Sequence, residues 1–506
     1  MPLPRCHNRA MIPGEHADIP AQARLYRVQQ VRAIEQAAIA ALGGATLMRR
    51  AAVAAFRQLR ERWPHARSIA VWCGPGNNGG DGFLLAALAH QEDGLEVSAF
   101  ALTDASSGDA AQARALCVAQ GVTIHSVPAE GLGELPAADL HVDALYGIGL
   151  NRAPPPALAR LIERLNASGR PILAIDVPSG LDADTGCVPG VAIRAAATVT
   201  FLAAKRGMHT GMAADHVGTL VLDTLDAANE QQPDACVMQP AALPRRPRAS
   251  HKGEQGHVLA IGGDHGTAGA IRLCGEAALR AGAGLVTVAT RQDHLVALNA
   301  ARPELMARAA ETVEALRPLL AKADVLALGP GLGQAGWGRA LWAVVLAGDW
   351  PLVLDADGLN LLAQSPRAFD RPVVLTPHPA EAARLLGSDT ATVQADRYAA
   401  VRELARRYRA IAVLKGSGSL VAAPDGRVQV CPWGNPGMAS GGMGDLLTGI
   451  IAALYGQCRD MWRAACLGVA LHARAGDRAA AGGERGLLAS DLLAPLRELA
   501  NGAGDA

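Results

Sequence analysis

The chain has 506 residues, half of them apolar, and its lysines and arginines balance its aspartates and glutamates at 47 each. This length exceeds that of one ordinary domain, so two or three domains are expected. The balanced charge argues against a nucleic-acid-binding surface. The sequence also shows no Lys/Arg-rich amphipathic helix of the kind that binds a membrane surface. We therefore expect small-molecule substrates and no nucleic-acid or membrane partner.

The cysteines and the N-terminal segment bear on where the protein works. The nine cysteines form no CxxC pair and no zinc-ligand spacing, which favours reduced thiols. Residues 1–22 lack the apolar core of a signal peptide, and no apolar run reaches the ~18 residues that a membrane helix needs. We predict a cytoplasmic location and a homo-oligomeric assembly.

Strand and helix patterns alternate along the first half of the chain, after helical spacing from Val28 to Leu59. The predicted strands are Ser68–Cys73, Glu96–Ala101, Val122–His125, Leu140–Leu145, Pro171–Ile175, Ala197–Ala203 and Gly218–Leu222. The predicted helices are Asp81–His90, Gly108–Gln120 and Pro156–Ala167. Such alternation predicts an α/β domain with a mainly parallel, Rossmann-like sheet flanked by helices.

A polar, proline-rich segment with the basic run Arg245–Arg248 separates this half from the next. Its composition predicts a linker whose basic side chains lie in solvent. We place the first domain at 23–228, the linker at 229–245 and the second domain at 246–502. A linker between two complete βα runs implies two cores that fold separately.

The alternation resumes in the second half. The predicted strands are His257–Ile261, Leu285–Ala289, Val325–Leu328, Leu352–Leu354, Val373–Thr376 and Ala412–Lys415. The predicted helices are Ala270–Ala281, Gly358–Ala363, Pro379–Leu386, Asp396–Tyr408 and an apolar helix that starts near Asp445. In α/β sheets of this kind ligands bind beyond the carboxyl ends of the strands.

Three strand ends of the first half carry polar motifs. The strand Ser68–Cys73 runs into Gly74–Gly82, whose glycine spacing differs from the dinucleotide fingerprint and which also contains two amides and a carboxylate. A plain turn with a helix cap is the alternative. Asp143 and Asp176 each lie at the end of an apolar strand, close to Gly or Pro, a position at which an acid is more often functional than structural.

Together these loops resemble the NAD(P)H-hydrate epimerase domain, over Val28 to Leu225 and including Thr198–Phe201 and Lys205. The resemblance implies a bound K⁺ with Asn78, Asp143 and Ser179 as ligands, which suits hard oxygen donors. It also implies contacts with the damaged nucleotide from Asn77, Asn78, Gly79, Gly80, Asp81, Gly147, Ile148, Gly149, Leu150 and Asp176. The family's Leu-Met-Glu-x-Ala-Gly helix carries Arg49 and Ala52 here, and we expect that helix to pack near the site or at a dimer contact.

The glycine-rich segment Gly434–Asp445 is the most informative motif of the second half. It runs into an apolar helix, so its last glycines and Asp445 lie at a helix start. Free N–H groups and the positive end of the helix dipole make such a start a phosphate site. A carboxylate there can take a proton from an attacking hydroxyl, whereas the alternative is a tight turn with Asp445 as the cap.

Other loops of this half fit the same crevice. The chain has only four lysines, and Lys415 begins a Gly/Ser loop that offers N–H and hydroxyl donors to a polyphosphate, with a hairpin turn as the alternative. His378 lies between two prolines after a strand, and Asp355, Asp357 and Glu381 are candidates for a magnesium environment.

This half resembles the ADP/ATP-dependent NAD(P)H-hydrate dehydratase of the ribokinase-like fold, over residues 246–500. The resemblance implies that the hydrated nicotinamide nucleotide contacts Ala270, Gly331, His378 and Asp445. It implies that ADP or ATP, with Mg²⁺, contacts Lys415, Gly416, Ser417, Gly418, Ser419 and Gly444.

We interpret the chain as a two-domain repair enzyme for NADHX and NADPHX, the hydrated forms of NADH and NADPH. Asp176 and Asp445 are the predicted catalytic carboxylates of its two domains. The alternative is a ribokinase-like kinase of a small vitamin alcohol that carries an accessory nucleotide-binding domain. A third hypothesis makes the first half a nucleotide-sensing or protein-binding module, because it contains no obvious nucleophile.

Overall fold

The computed structural model describes residues 24–92, 95–103, 107–127, 134–149, 152–239, 243 and 245–502. The first half of the chain contains the strands β1 (Arg24–Tyr26), β2 (Ser68–Cys73), β3 (Glu96–Ala101), β4 (Thr123–Ser126), β5 (Leu140–Ala144), β6 (Ile172–Ile175), β7 (Ala197–Phe201), β8 (Ala204–Lys205) and β9 (Thr219–Asp223). Its helices are α1 (Val28–Leu42), α2 (Gly44–Arg62), α3 (Asn77–Glu92), α4 (Gly108–Ala119) and α5 (Pro156–Ala167).

The second half has the same alternating character. Its strands are β10 (Ala235–Val237), β11 (His257–Ile261), β12 (Leu285–Thr290), β13 (Met306–Ala309), β14 (Val325–Leu328), β15 (Leu352–Leu354), β16 (Val373–Leu375), β17 (Ile411–Leu414), β18 (Leu420–Ala422) and β19 (Val428–Val430). Its helices are α6 (Ala268–Arg280), α7 (Leu295–Ala301), α8 (Val313–Leu320), α9 (Gly336–Ala347), α10 (Ala356–Gln364), α11 (Pro379–Leu386), α12 (Thr390–Ala395), α13 (Arg397–Tyr408), α14 (Met443–Cys458), α15 (Met461–Ala479) and α16 (Leu493–Ala500).

The first domain is built on a sheet with the strand order β4-β3-β2-β5-β6-β7-β9, and every neighbouring pair in it is parallel. Its central strands are buried, which is why they are continuous apolar runs in the sequence. Helices cover both faces, so the prediction of a mainly parallel, helix-flanked sheet is confirmed.

The second domain is built on a larger sheet, in the order β13-β12-β11-β14-β15-β16-β17-β18-β19-β10-β1-β8. It is parallel from β13 to β17 and antiparallel at β17–β18–β19. Apolar cores lie on both of its faces, one of them against α6, α14 and α15. The α/β class predicted for this half is therefore confirmed as well.

The linker prediction for 229–245 needs a correction. Within it, β10 pairs in parallel with β19 of the second domain and antiparallel with β1, which pairs in turn with β8. The large sheet therefore continues through the predicted linker into strands of the first half. Polar composition predicted an unstructured connection because a three-residue strand carries too little apolar signal to be recognised.

Charged groups support the same junction. Asp234 accepts hydrogen bonds from Arg27 at 2.8 Å, Arg206 at 2.7 Å and Arg402 at 2.9 Å, and the last of these residues belongs to α13 of the second domain. The Tyr398 hydroxyl donates to the Arg206 carbonyl at 2.9 Å, and the Arg206 guanidinium lies 4.6 Å from the centre of the Tyr398 ring. The two domains are thus joined by a continuous sheet and by buried polar contacts.

Helix starts also differ from the sequence prediction. The helical stretch from Val28 to Leu59 is two helices that meet at Gly43. α3 begins at Asn77 rather than Asp81, so the Asn77–Asp81 motif forms the first turn of a helix instead of the loop before it. In the described part of the chain no single helix is long and apolar enough to cross a bilayer, although α1 and α2, bent by 112° at their junction, pass that test as a pair.

Candidate active sites

The first candidate site lies at the carboxyl ends of β2, β5 and β6. Close backbone packing explains the glycines of the α3 start, because a methyl group on Gly79 would lie 1.9 Å from the Gly74 carbonyl oxygen. A methyl group on Gly80 would come within 2.7 Å of the Met48 side chain of α2. The helix that carries Arg49 and Ala52 therefore packs on this motif, as expected.

A lysine–aspartate pair forms the charged centre of this site. Asp176 follows β6 with a φ of 66°, an unusual backbone conformation for a residue other than glycine. The Lys205 ammonium, buried at the end of β8, donates to Asp176 Oδ1 at 2.5 Å, to Thr200 Oγ1 at 2.8 Å and to the Phe201 carbonyl at 2.8 Å. The lysine is thereby fixed, and it holds the Asp176 carboxylate in place.

Further acids surround this pair. Burial raises the pKa of the Asp81 carboxyl well above its usual range, and the Asp176 charge adds to the rise. Burial also raises the pKa of Glu35 on α1, a residue that the sequence analysis did not single out. Gly147 lies against Asp176 and Asn78, because a methyl group on it would be 2.9 Å from Asp176 Oδ2 and 3.5 Å from Asn78 Oδ1.

The predicted ion ligands lie beside these groups. The Ser179 hydroxyl donates to Asp143 Oδ1 at 2.7 Å, and the Ser179 N–H donates to Asp143 Oδ2 at 2.8 Å. Burial raises the pKa of the Asp143 carboxyl to about 6, against hydrogen bonds that lower it. Both polar atoms of the Asn78 amide are buried without a hydrogen-bond partner among the described residues. A buried amide left in this way calls for a ligand, since desolvation of an unpaired polar group is costly.

Ile148 and Gly149 follow Gly147 at this edge of the sheet, in the turn after β5. Leu150, the last residue of that predicted loop, lies outside the described residues.

The second candidate site lies at the carboxyl ends of β15, β16 and β17. The Lys415 ammonium, directly after β17, donates to Asp355 Oδ1 at 2.7 Å, and the Thr448 hydroxyl of α14 donates to Asp355 Oδ2 at 3.0 Å. A methyl group on Gly444 would lie 3.1 Å from Lys415 Nζ. The predicted phosphate motif and the predicted lysine loop therefore meet at one point.

Asp445 lies in the first turn of α14 with its carboxylate uncommitted. Gly442 is the N-cap, with a φ of 91°, and no side-chain capping bond is present, so the alternative role of Asp445 as the cap is wrong. Burial raises the pKa of the Asp445 carboxyl to about 7, the Asp355 charge adds to the rise, and Lys415 opposes it. A carboxylate with a pKa near neutrality is suited to act as a general base.

Two other residues predicted to contact substrate, Gly331 and Ala270, lie near the start of α6. Gly331, with a φ of 60°, accepts through its carbonyl from the Thr267 hydroxyl at 2.8 Å, which fixes its loop against the start of α6. Ala270 lies in the first turn of α6, and Leu273 one turn later lies against Gly442. α6 therefore brings Ala270 to the start of α14.

His378 forms the N-cap of α11 beside an acid. The His378 N–H donates to Glu381 Oε2 at 2.8 Å, and Lys415 Nζ lies 3.9 Å from the same oxygen. Burial raises the pKa of the Glu381 carboxyl to about 7, and burial lowers the pKa of the half-exposed His378 imidazole. A neutral imidazole and an adjacent carboxyl thus face the end of β16.

The loop after Lys415 has the geometry of an anion site. Gly416 and Gly418 have φ values of 128° and 57°, a region that favours glycine. Within the described chain, the backbone N–H groups of Gly416, Ser417 and Gly418 have no protein acceptor. Consecutive free N–H groups in such a loop are suited to bind phosphate oxygens.

Comparisons with known proteins agree with this geometry. The family model described as "NAD(P)H-hydrate dehydratase" matches residues 258–497, and the model described as "YjeF-related protein N-terminus" matches residues 44–207. The chain is 45% identical over 489 residues to the bifunctional NAD(P)H-hydrate repair enzyme of Coxiella burnetii, covering 94% of this chain and 99% of that protein. It is 46% identical over 467 residues to the enzyme of the same name from Escherichia coli, covering 90% of this chain and 89% of that one.

The chain belongs to the bifunctional NAD(P)H-hydrate repair enzymes. Its first domain is the NAD(P)H-hydrate epimerase domain and its second the ADP/ATP-dependent dehydratase domain, so the vitamin-kinase alternative is not favoured. Among solved structures, the ADP/ATP-dependent NAD(P)H-hydrate dehydratase of Bacillus subtilis, co-crystallised with ATP and Mg²⁺, is 31% identical and covers 51% of this chain and 94% of its own, with a TM-score of 0.47.

Some residues at the two sites were assigned other roles or missed by the sequence analysis. Lys205 was named only as part of the epimerase resemblance, yet it holds Asp176. Asp357, a candidate for the magnesium environment, instead accepts from the Gly333 N–H at 2.8 Å and from the Gln334 amide at 3.1 Å. Its carboxylate therefore orders the loop after β14. A lysine at the end of a two-residue strand gives no local signal that could have identified its pairing with Asp176.

Proposed function

We propose that the epimerase domain interconverts the R and S epimers of NADHX and NADPHX, and that the dehydratase domain returns the S epimer to NADH or NADPH with ADP or ATP as co-substrate. The observation that carries this proposal is the meeting of Lys415, Asp355 and Gly444 beside an uncommitted Asp445 carboxylate. A base, a fixed cation and a helix N-terminus at one point are the components of phosphoryl transfer to a hydroxyl.

In the dehydratase domain, Asp445 takes the proton of the ring hydroxyl as its oxygen attacks the terminal phosphorus of the nucleotide. The bond from that phosphorus to the leaving oxygen of the nucleotide then breaks. The N–H groups of Gly441–Gly444 and the Lys415 ammonium stabilise the negative charge that develops. Departure of the phosphate with the carbon–oxygen bonding electrons, and loss of a proton from the neighbouring ring carbon, restore the double bond.

The described residues offer no preformed cage for a divalent ion, because no group of three His, Cys, Asp or Glu side chains there has metal-binding geometry. Asp355 is committed to Lys415 and Thr448, which leaves Glu381 as the nearest acid of the three candidates. This fits Mg²⁺ that arrives with the nucleotide phosphates and needs one or two carboxylates at most. When bound, Mg²⁺ would neutralise phosphate charge.

In the epimerase domain, we propose Asp176, held by Lys205, as the acid–base group. The first turn of α3, including Asn77, Gly79, Gly80 and Asp81, would bind the nucleotide. Asn78, Asp143 and Ser179 would hold K⁺, and the unpartnered Asn78 amide is the structural feature that fits an ion there. K⁺ would supply positive charge to the substrate's phosphate groups.

The K⁺ proposal has its own test. Asp143→Ala should slow conversion of R to S by about tenfold and leave dehydration of the pure S epimer unchanged. Replacing K⁺ by tetramethylammonium should slow the wild-type epimerase in the same way and add nothing to the defect of the variant. Epimerisation that is indifferent to the cation would remove K⁺ from the proposal.

The function as a whole is tested with mixed epimers of NADHX and with the pure S epimer, each with ADP or ATP, by following the return of reduced-nicotinamide absorbance. The mixed sample should be repaired completely and the reaction should require a nucleotide. If the protein stably phosphorylates a small vitamin alcohol and does not repair NADHX, the proposal is contradicted. The cytoplasmic location and the homo-oligomeric assembly stay predictions.

A further inference from the structure

A segment of the epimerase domain contacts the nucleotide loop of the dehydratase domain. This segment comprises two single 3-10 turns, Arg206–His209 and Gly211–Asp215, that follow Lys205. The Thr210 hydroxyl between them donates to the Gly418 carbonyl at 2.8 Å and lies 3.3 Å from the Ser417 carbonyl oxygen. The Gly211 N–H donates to the same Ser417 oxygen at 3.1 Å. Both carbonyls of the loop tip are therefore bound by the other domain.

The contact is too close to be incidental. A methyl group on Gly418 would lie 2.0 Å from the His209 carbonyl oxygen, so only glycine permits this approach of the two backbones. Thr210 is 1% exposed, which means that its hydroxyl has no water to replace a lost partner. The tip of the loop is thus fixed by buried hydrogen bonds that cross between the domains.

Arg397, the first residue of α13, contacts both Thr210 and the nucleotide loop. It is 1% exposed, and its guanidinium donates to the Thr210 hydroxyl at 3.0 Å and to the carbonyls of Leu414 and Lys415 at 3.2 Å each. A methyl group on Gly416 would lie 3.2 Å from the same guanidinium. Arg397 therefore binds the strand end, the start of the loop and the residue of the epimerase domain that fixes the loop tip.

The charge of Arg397 is not neutralised by an acid. Its remaining hydrogen bond goes to the Gln394 amide oxygen at 2.8 Å, and no carboxylate of the described chain lies within ion-pairing distance. Burial lowers the pKa of the guanidinium to about 10, so it is still charged at neutral pH. A buried cation held only by carbonyl and hydroxyl oxygens, under a loop with free N–H groups, favours an anion on the loop.

From these contacts we propose that the epimerase domain is a structural part of the dehydratase's nucleotide site: the Thr210 hydroxyl, together with Arg397, fixes the Lys415–Ser419 loop in the conformation that binds ADP or ATP. The inference rests on the proposed nucleotide role of that loop. Thr210 and Arg397 are positioning residues, because they act through the loop rather than on the reacting atoms. Their loss should weaken nucleotide binding and spare the chemical step.

The experiment compares Thr210→Val, which keeps the shape but loses the hydroxyl, with Thr210→Ser, which keeps the hydroxyl, in the full-length protein. Thr210→Val should raise the KM for ADP or ATP by about tenfold, since it leaves a buried carbonyl and a guanidinium N–H without a partner. The kcat and the KM for S-NADHX should stay within about twofold. Thr210→Ser should keep the KM for ADP or ATP at the wild-type value.

Two further measurements keep the result decisive. The rise in Tm on adding ADP should be smaller in Thr210→Val than in the wild type at the same concentration, whereas epimerase activity should persist and report folding. If Thr210→Val fails to fold, Arg397→Lys tests the same loop, because it keeps the positive charge but loses the planar guanidinium with its several N–H donors. This variant should also raise the KM for the nucleotide.

An unchanged nucleotide KM in folded Thr210→Val, or in Arg397→Lys, would overturn this inference while wild-type repair stands. Absence of nucleotide-dependent dehydration in the wild type would instead contradict the proposed function itself. A fall in kcat with an unchanged KM would assign Thr210 to the chemical step and overturn its positioning role.

Discussion

Both domains place a lysine against an aspartate at the end of a parallel strand, but they use the pair differently. In the epimerase domain Lys205 is 1% exposed and lies 2.5 Å from Asp176, whose side chain is 15% exposed. In the dehydratase domain Lys415 is 20% exposed and lies 2.7 Å from Asp355, which is 2% exposed. The acid faces the site in the first case and the lysine does so in the second.

This difference fits the separate base that we propose for the second domain. Asp355 is engaged by Lys415 and Thr448, and although burial would raise its pKa, these groups hold that pKa below its usual value. The Asp445 carboxylate has no hydrogen bond within the described chain, and its pKa is raised instead. One buried acid fixes the cation, and a second, uncommitted acid is left to accept a proton. In the proposed mechanism, the first domain combines both roles in Asp176.

The largest effect is expected from Asp445→Asn, which removes the separate base. The amide keeps the shape of the side chain and should leave folding intact, but it cannot accept the proton. Loss of a general base costs on the order of 10² to 10⁴ in rate. The initial rate of dehydration of pure S epimer should fall by that factor, while epimerisation and nucleotide binding persist. Near-normal dehydration at matched substrate and nucleotide would remove Asp445 as the base.

Lys205→Met should have the next largest effect, because it breaks the pair in which the acid itself faces the site. Without the ammonium, Asp176 loses its partner, and epimerisation should fall by about 10². Dehydration of pure S epimer should be little changed. Lys322→Met, at an exposed lysine of the same chain, is the matched control and should be silent in both assays. Equal loss of both activities in Lys205→Met would show that the pair is structural instead.

Much of the fold could be predicted from the sequence because buried parallel strands are uninterrupted apolar runs between glycine and proline. β2, β11, β14 and β15 have the predicted bounds. β1, β8 and β10 were missed, since they have three, two and three residues and form only through pairing with one another and with β19. Their pairing depends on how the domains meet, which no local pattern records.

The same distinction applies to the sites. Motif residues such as Asn78, Asp143 and Asp445 are marked by their glycine-rich surroundings, and the structure places Asp143 at the end of β5 and the other two in the first turns of α3 and α14. The contacts between lysines and aspartates have no such mark in the sequence. Lys205 and Asp176 are separated by 29 residues, and Lys415 and Asp355 are separated by 60. Such contacts depend on strand order, so the sequence could predict the groups but not their pairing.

The junction between the domains gives a third prediction, on stability. Asp234→Ala removes the carboxylate that pairs with the buried Arg206 guanidinium at 2.7 Å and leaves only the more distant Asp184 at 3.8 Å, which should lower the free energy of unfolding by about 3 kcal/mol. Asp226→Ala breaks only the exposed pair with Arg50, at 3.4 Å, and should change the free energy of unfolding by less than about 1 kcal/mol. Urea unfolding measures both variants. Equal free energies of unfolding for the two variants would mean that the Asp234 contacts add no stability at the junction. That result would fit two domains that fold separately, as the linker composition predicts.

The smallest effect concerns pH and compares two acids of the dehydratase domain, Asp445 and Glu381. The burial that raises the pKa of Asp445 to about 7 means that its basic form is lost as the pH falls through 7. The kcat/KM for dehydration should therefore drop about tenfold per unit below pH 7 and level off above pH 8. Glu381 has a pKa raised to about 7 as well, again chiefly by burial, so it could produce the same profile.

Glu381→Gln separates these two acids, because it removes the second titration and keeps the hydrogen bond from the His378 N–H. If Asp445 is the base, the variant should retain the tenfold slope below pH 7, with only a shift from the lost charge near Lys415. That shift should be downward, since a negative neighbour raises the pKa of Asp445 and its removal lowers it. A flat profile in Glu381→Gln would assign the titration to Glu381, and the proton acceptor would then be the acid beside His378.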